Sequence, residues 1–180
     1  MSEPDASTRR FLDHLRGGPE SWSAVAFAPT DDDELDANAE RRSAVLEMLL
    51  HDPRSADRPL LRFLIQQEIQ EAEHWWGLSE ALRLATFLLA EHRHVDDVWL
   101  QWDAKNANFD TRSGLDTWPV LAGGVEATRA LILASDHPDR GELLDDLALD
   151  PYANATDKDV QRWLVYQRTK YYQAPLPDCG

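Results

Sequence analysis

Apolar residues in this chain recur three and four positions apart, and no stretch alternates apolar and polar residues in twos. The first spacing lines one face of a helix and the second would line one face of a strand, so the pattern commits the chain to helices. Residues 56–76 carry it most clearly. At about 100° per residue, Leu61, Leu64, Ile65, Ile69, Ala72, Trp75 and Trp76 fall on one arc. Gly77 closes this helix, Ser79 is placed to cap the next, and Ala81, Leu82, Leu84, Ala85, Leu88 and Leu89 form that helix's buried stripe. The β-branched residues are scattered singly. The expectation is an all-α fold of about seven helices packed as antiparallel pairs, in a short α-solenoid or an irregular bundle.

Residues 7–16 read as a short amphipathic helix stopped by Gly17 and Gly18, and the segment that follows, with Trp22 and Phe27, reads as irregular. Residues 1–30 are thus expected to be a partly irregular lead-in on the core. The run Asp31-Asp32-Asp33-Glu34 places anions where a helix ending at His51 is expected to begin. Residues 95–107 are apolar on two opposite sides, which predicts a sandwiched helix with a narrow polar stripe of Asp97, Gln101, Lys105 and Asn108. A loop is expected over residues 108–114. Asp116 or Thr117, with Pro119 in the first turn, then starts a helix that runs through Gly123-Gly124 to Ala134, where a kink or a close helix contact is expected. A short helix over residues 139–149 precedes a last one, opened by the cap Thr156-Asp157-Lys158-Asp159 and ending at Tyr171 or Tyr172. Residues 31–172 therefore read as a single helical domain, and residues 173–180, with Pro175 and Pro177, as a flexible tail.

The net charge of −15 repels nucleic-acid phosphate and favours basic partners. The single cysteine, Cys179, allows no internal disulfide, and residues 1–16 lack the apolar core of a signal peptide, so a cytoplasmic location is expected. The most apolar stretch, residues 82–90, is too short to cross a bilayer, so no membrane association is expected.

Leu78-Ser79-Glu80-Ala81-Leu82-Arg83-Leu84-Ala85, followed by Phe87-Leu88-Leu89, has the spacing of the second helix of a tetratricopeptide repeat, where small alanines let helices approach. Trp99-Leu100 stands where that family places its aromatic, and residues 125–138 have the form of another second helix ending before proline. The chain resembles tetratricopeptide-like helical-repeat proteins over one helix pair. It departs from them at the family's Gly and Tyr positions and in lacking a strict repeat period. The resemblance implies stacked antiparallel helix pairs whose concave face binds a protein partner.

Three groups of residues are candidates for chemistry. Trp99, Trp102, Lys105, Asn108, Asp110, Arg112, Asp116 and Trp118 mix aromatic anchors with polar groups, as partner-binding hot spots do. Glu68 falls inside the apolar arc of its helix and His92 inside that of the following one. A buried carboxylate must be paired, protonated or open to a cavity, so the two are expected to form either a structural pair or the acid/base element of a small pocket. Glu71, His74, Glu91 and His94 form two Glu-x-x-His pairs of the type that binds metal in helical bundles, although they lie on polar faces. No nucleophile elbow or phosphate-binding glycine loop is present, and no cofactor is expected. The expected function is that of an acidic helical protein-interaction module of bacterial inhibitor or immunity type. The alternative is a metal-dependent or acid/base enzyme around Glu68 and His92. A protein partner is expected, nucleic acid is disfavoured, and a homo-oligomer is compatible with the pattern.

Overall fold

Capping residues and glycines set where each helix begins and stops. A computed structural model describes residues 6–30 and 36–173. Among them are nine α-helices: α1 (Ala6–Leu15), α2 (Ala39–His51), α3 (Arg58–His74), α4 (Glu80–Glu91), α5 (Val98–Asn106), α6 (Phe109–Gly114), α7 (Val125–Ala134), α8 (Arg140–Leu147) and α9 (Asp157–Gln173). Short 3-10 turns cover Pro19–Val25, Ser55–Asp57, Val95–Asp97 and Trp118–Leu121. The only extended pairing among the described residues is an isolated bridge between Pro29 and Asp36. The all-α expectation holds, and no described helix is long and apolar enough to cross a membrane.

Three boundaries differ from the expectation. Helix α2 starts at Ala39, after the Asn38 cap position, and the acidic run at residues 31–34 lies outside the described residues. The expected loop at residues 108–114 is helix α6. Asn108 accepts the Thr111 N–H through Oδ1 at 2.8 Å while the Thr111 hydroxyl receives the Asn108 N–H at 2.9 Å, a reciprocal cap that fixes both donors. The expected helix from 117 to 134 is broken in two at Gly123-Gly124. Gly124 adopts φ +112°, a conformation that ends the Trp118–Leu121 turn and opens α7. A Cβ on Gly123 would stand 2.5 Å from the Val95 backbone, so the glycine is there for close approach, as its position suggested.

Helix α3 is central: it packs along α4 and α5, while α2 and α9 also lean on α4. Leu12, Leu15 and Val25 join Leu46, Ile65, Leu82, Trp102, Leu121 and Val160 in one continuous core. Each such fully buried side chain contributes roughly 1.5–3 kcal/mol by transfer from water. The α5 stripe is buried as well, since Asp97, Gln101 and Lys105 all lie in the interior. Asp97 receives Arg58 through both oxygens and Arg62 as well, and Gln101 donates to the Thr86 carbonyl. Helix α9 is held down by Arg168, which grips Glu91 with two nitrogens and donates to the Leu50 carbonyl.

Candidate functional site at the turn between α3 and α4

Arg42 follows the inner face of α2 with Val45, Leu46 and Leu49 and is itself fully buried. A buried guanidinium requires counter-charges, and three carboxylates supply them. Its Nε donates to Glu68 Oε1 at 2.6 Å, its Nη2 to Glu71 Oε2, and its Nη1 lies 2.5 Å from Asp36 Oδ2 in an ion pair without hydrogen-bond alignment. Glu68 Oε2 accepts the Ser79 hydroxyl at 3.0 Å, and that oxygen of Ser79 in turn caps α4 by accepting the Leu82 N–H. Asp36 Oδ1 accepts the N–H groups of Ala28 and Asn38. One cation thus ties α2, α3, the start of α4 and the chain before α2 together.

The charges in this hub do not balance. Burial raises the Asp36 carboxyl, but the Asn38 and Ala28 N–H groups and Arg42 outweigh it and hold the group below its ordinary value. Glu71 goes the other way: burial, then the neighbouring charge of Glu68, push it up despite Arg42. Arg42 itself loses by burial and gains more from Glu68 and Asp36, so its proton is held more firmly.

Beside the hub lies a hollow of about 620 Å³. Helix α3 stops at His74, Trp75 is extended (φ −111°, ψ 138°), and Gly77 takes φ +137°, a turn that suits glycine. The turn is pinned from behind by Asn108, whose Nδ2 donates to the carbonyls of Ala72 and Gly77. This reversal throws Trp76 outward, 86% exposed, although its position on the helical arc predicted burial. Its lining includes Trp75, Trp76 and Glu71 together with Thr30, Asp36 and Glu40. The Thr30 hydroxyl oxygen is buried and has no hydrogen-bond partner among the described residues. No Lys, Arg or His lines the hollow among the described residues. Carboxylates set beside tryptophans attract a cation.

The residues expected to bind a partner are brought together around α5 and α6, two of them buried, four half-buried and two exposed. Trp102 is 0% exposed with Arg112 stacked over its ring at 4.8 Å, and Lys105 Nζ donates to the carbonyls of Arg112 (3.0 Å) and Leu115 (2.6 Å). These two are interior and form no contact surface. Asn108 caps α6, and Arg112 reaches Asn106, Asp146 and Glu142. Asp116 accepts the Trp163 N–H, Trp118 meets Tyr152 edge-on, and Trp99 stacks on His137 at 3.9 Å. Asp110, beside the exposed Phe109, and Asp116 are left facing water.

Glu68 and His92 do not share a site. The first is held by Arg42 and Ser79; the second lies half-buried in another cleft, of about 340 Å³, with Asp57, Glu91 and Arg168. There, Asp57 is taken by Arg16 and Glu91 by Arg168, and burial holds the His92 imidazole below its ordinary value. The candidate metal ligands are also dispersed. Glu71 belongs to Arg42 and Glu91 to Arg168, His74 packs on Phe27 and Trp75, and His94 is exposed. No group of three or more His, Cys, Asp or Glu among the described residues is arranged to hold a metal ion.

Comparison with family models, with curated proteins and with solved structures gives no match.

Proposed function

We propose that this chain is an acidic helical interaction module that binds a basic segment of a partner protein in the hollow beside Trp76. The carrying observation is an indole 86% exposed at the rim of an opening walled by carboxylates. Tryptophan anchors interfaces because it covers a large area at small conformational cost, and carboxylates around it select the charge of what covers it. The net charge of −15 speeds encounter with a basic surface and repels nucleic acid. An inhibitor or immunity-type protein that neutralises a basic partner is the finer form of this proposal. The resemblance of residues 78–89 to a tetratricopeptide helix, a family whose faces are used for docking, points the same way. The recognition surface then lies at the turn between α3 and α4, and the α5–α6 aromatics stabilise the core behind it.

The test is a titration with hexalysine followed by tryptophan fluorescence. A saturable change that weakens with salt is expected, absent with hexaglutamate and strongly reduced in Trp76→Ala. Equal response of Trp76→Ala, or no response to any basic peptide, overturns the proposal.

A further inference from the structure

We infer that the hollow seats a single lysine or arginine side chain of the partner, its stem against Trp75 and Trp76 and its cationic head against Glu71; this rests on the interaction reading above. Asp36, Glu68 and Glu71 share one guanidinium, so the hub carries excess negative charge whenever Glu71 is ionised. The Asp36 and Glu68 side chains are sealed at 0% and 1% exposure, whereas Glu71 keeps 22%. Glu71 is therefore the member of the hub that a visitor can touch. Arg42 occupies its Oε2, and its Oε1 accepts no hydrogen bond among the described residues. Thr30 lines the same space. A cation entering here meets two indoles on its way to a half-desolvated carboxylate, a setting in which both attractions exceed their strength in open water.

The other cleft makes a useful contrast, because its carboxylates already carry their own arginines. Of the two, the hollow beside Trp76 has carboxylates in its lining and no lining cation among the described residues. The occupant is argued to belong to a protein chain because about 620 Å³ exceeds one side chain, leaving room for the flanking residues.

A proton links the two events. Glu71 faces Glu68 on its own helix, Arg42 and Glu40 on α2, and Asp36 before α2, while α4 contributes the Ser79 hydroxyl. His74 stands one turn on, exposed, against Phe27 and Trp75. Burial and Glu68 favour the protonated form of Glu71, and a cation in the hollow favours the ionised one, so binding releases a proton.

The experiment compares acetyl-Gly-Ser-Lys-Ser-Gly-amide, its norleucine counterpart and butylamine by calorimetry and tryptophan fluorescence. The lysine peptide is expected to bind saturably and the norleucine peptide about tenfold more weakly. Trp76→Ala and Glu71→Gln are each expected to weaken the lysine peptide by about tenfold with far-ultraviolet dichroism unchanged. Affinity of the natural chain should rise as pH climbs through the raised Glu71 titration, and this rise should vanish in Glu71→Gln. If hexalysine binds through Trp76 but the single-lysine peptide does not, this inference falls and the interaction reading stands; if neither binds, both fall. Equal binding of the norleucine peptide removes any role for the cationic head. Butylamine binding as tightly as the peptide makes a free amine the occupant and overturns the assignment. Concentration-dependent dimers lost in Trp76→Ala put a second copy in the hollow, with the same consequence.

Discussion

Arg42 sits among three carboxylates, whereas Lys105, also buried, donates to the main-chain carbonyls of Arg112 and Leu115. Neutral acceptors satisfy a donor without adding charge. The Lys105 ammonium itself is satisfied by neutral groups: burial lowers its proton affinity, and Asp146 partly opposes this. The Arg42 region ends with more anion than cation and with Glu71 at an opening.

The contrast breaks or sharpens under substitution. Arg42→Met should cost about 3–5 kcal/mol in urea denaturation, because it strands the buried carboxylates of Glu68 and Asp36. Part of that loss should return on acidification, as the stranded groups take up protons. Lys105→Met leaves two carbonyls unpaired but no charge, so about 1–3 kcal/mol and no recovery in acid are expected from the same measurement. A larger loss at Lys105 than at Arg42 would erase the distinction.

Glu71→Gln tests the excess charge directly. The folded-state pKa of Glu71 is raised, so its proton stabilises the fold; that contribution is complete below the unfolded pKa and is lost as pH rises through the folded value. At neutral pH the ionised carboxylate is therefore a burden, and glutamine, which imitates the protonated form, should leave the denaturation midpoint unchanged or higher. A clear drop would mean that Glu71 is needed as a counter-ion and is not free for a ligand. The smallest effect concerns Tyr171, stacked on Phe87, where burial pushes the hydroxyl up to about 12. Its raised value stabilises the fold below the unfolded pKa of about 10 and is lost as pH climbs beyond it. In an ultraviolet titration one tyrosine should ionise late, and Tyr171→Phe should remove that phase.

Most helices were legible because apolar spacing and caps are local: Ser79 caps α4 as read, and the sandwiched α5 is buried even along its polar stripe. Helix α6 was missed although its signal, Asn108 three residues before Thr111, was present, because a single capped turn has no periodicity to reveal it. The partner of Glu68 is a tertiary fact. Its clue was Arg42 standing in the apolar spacing of Val45, Leu46 and Leu49, a cation placed where only a counter-charge would make it tolerable. Trp76 was misplaced because the arc assumes that the helix continues, and α3 stops two residues earlier. The resulting exposure is the feature on which the site depends.

The grip of α9 has a consequence for assembly. Arg168 and Tyr172 both reach the Leu50 carbonyl, across 118 and 122 residues of chain. Contacts so distant in sequence form late, after local helix pairing, and they slow the search for the final topology. As the chain leaves the ribosome, α2, α3 and α4 emerge long before α9, and until it arrives Leu49, Leu61 and Leu88 line a seam that Arg168 has yet to cover. During that interval the nascent protein exposes leucines that the finished one buries at the floor of a narrower cleft.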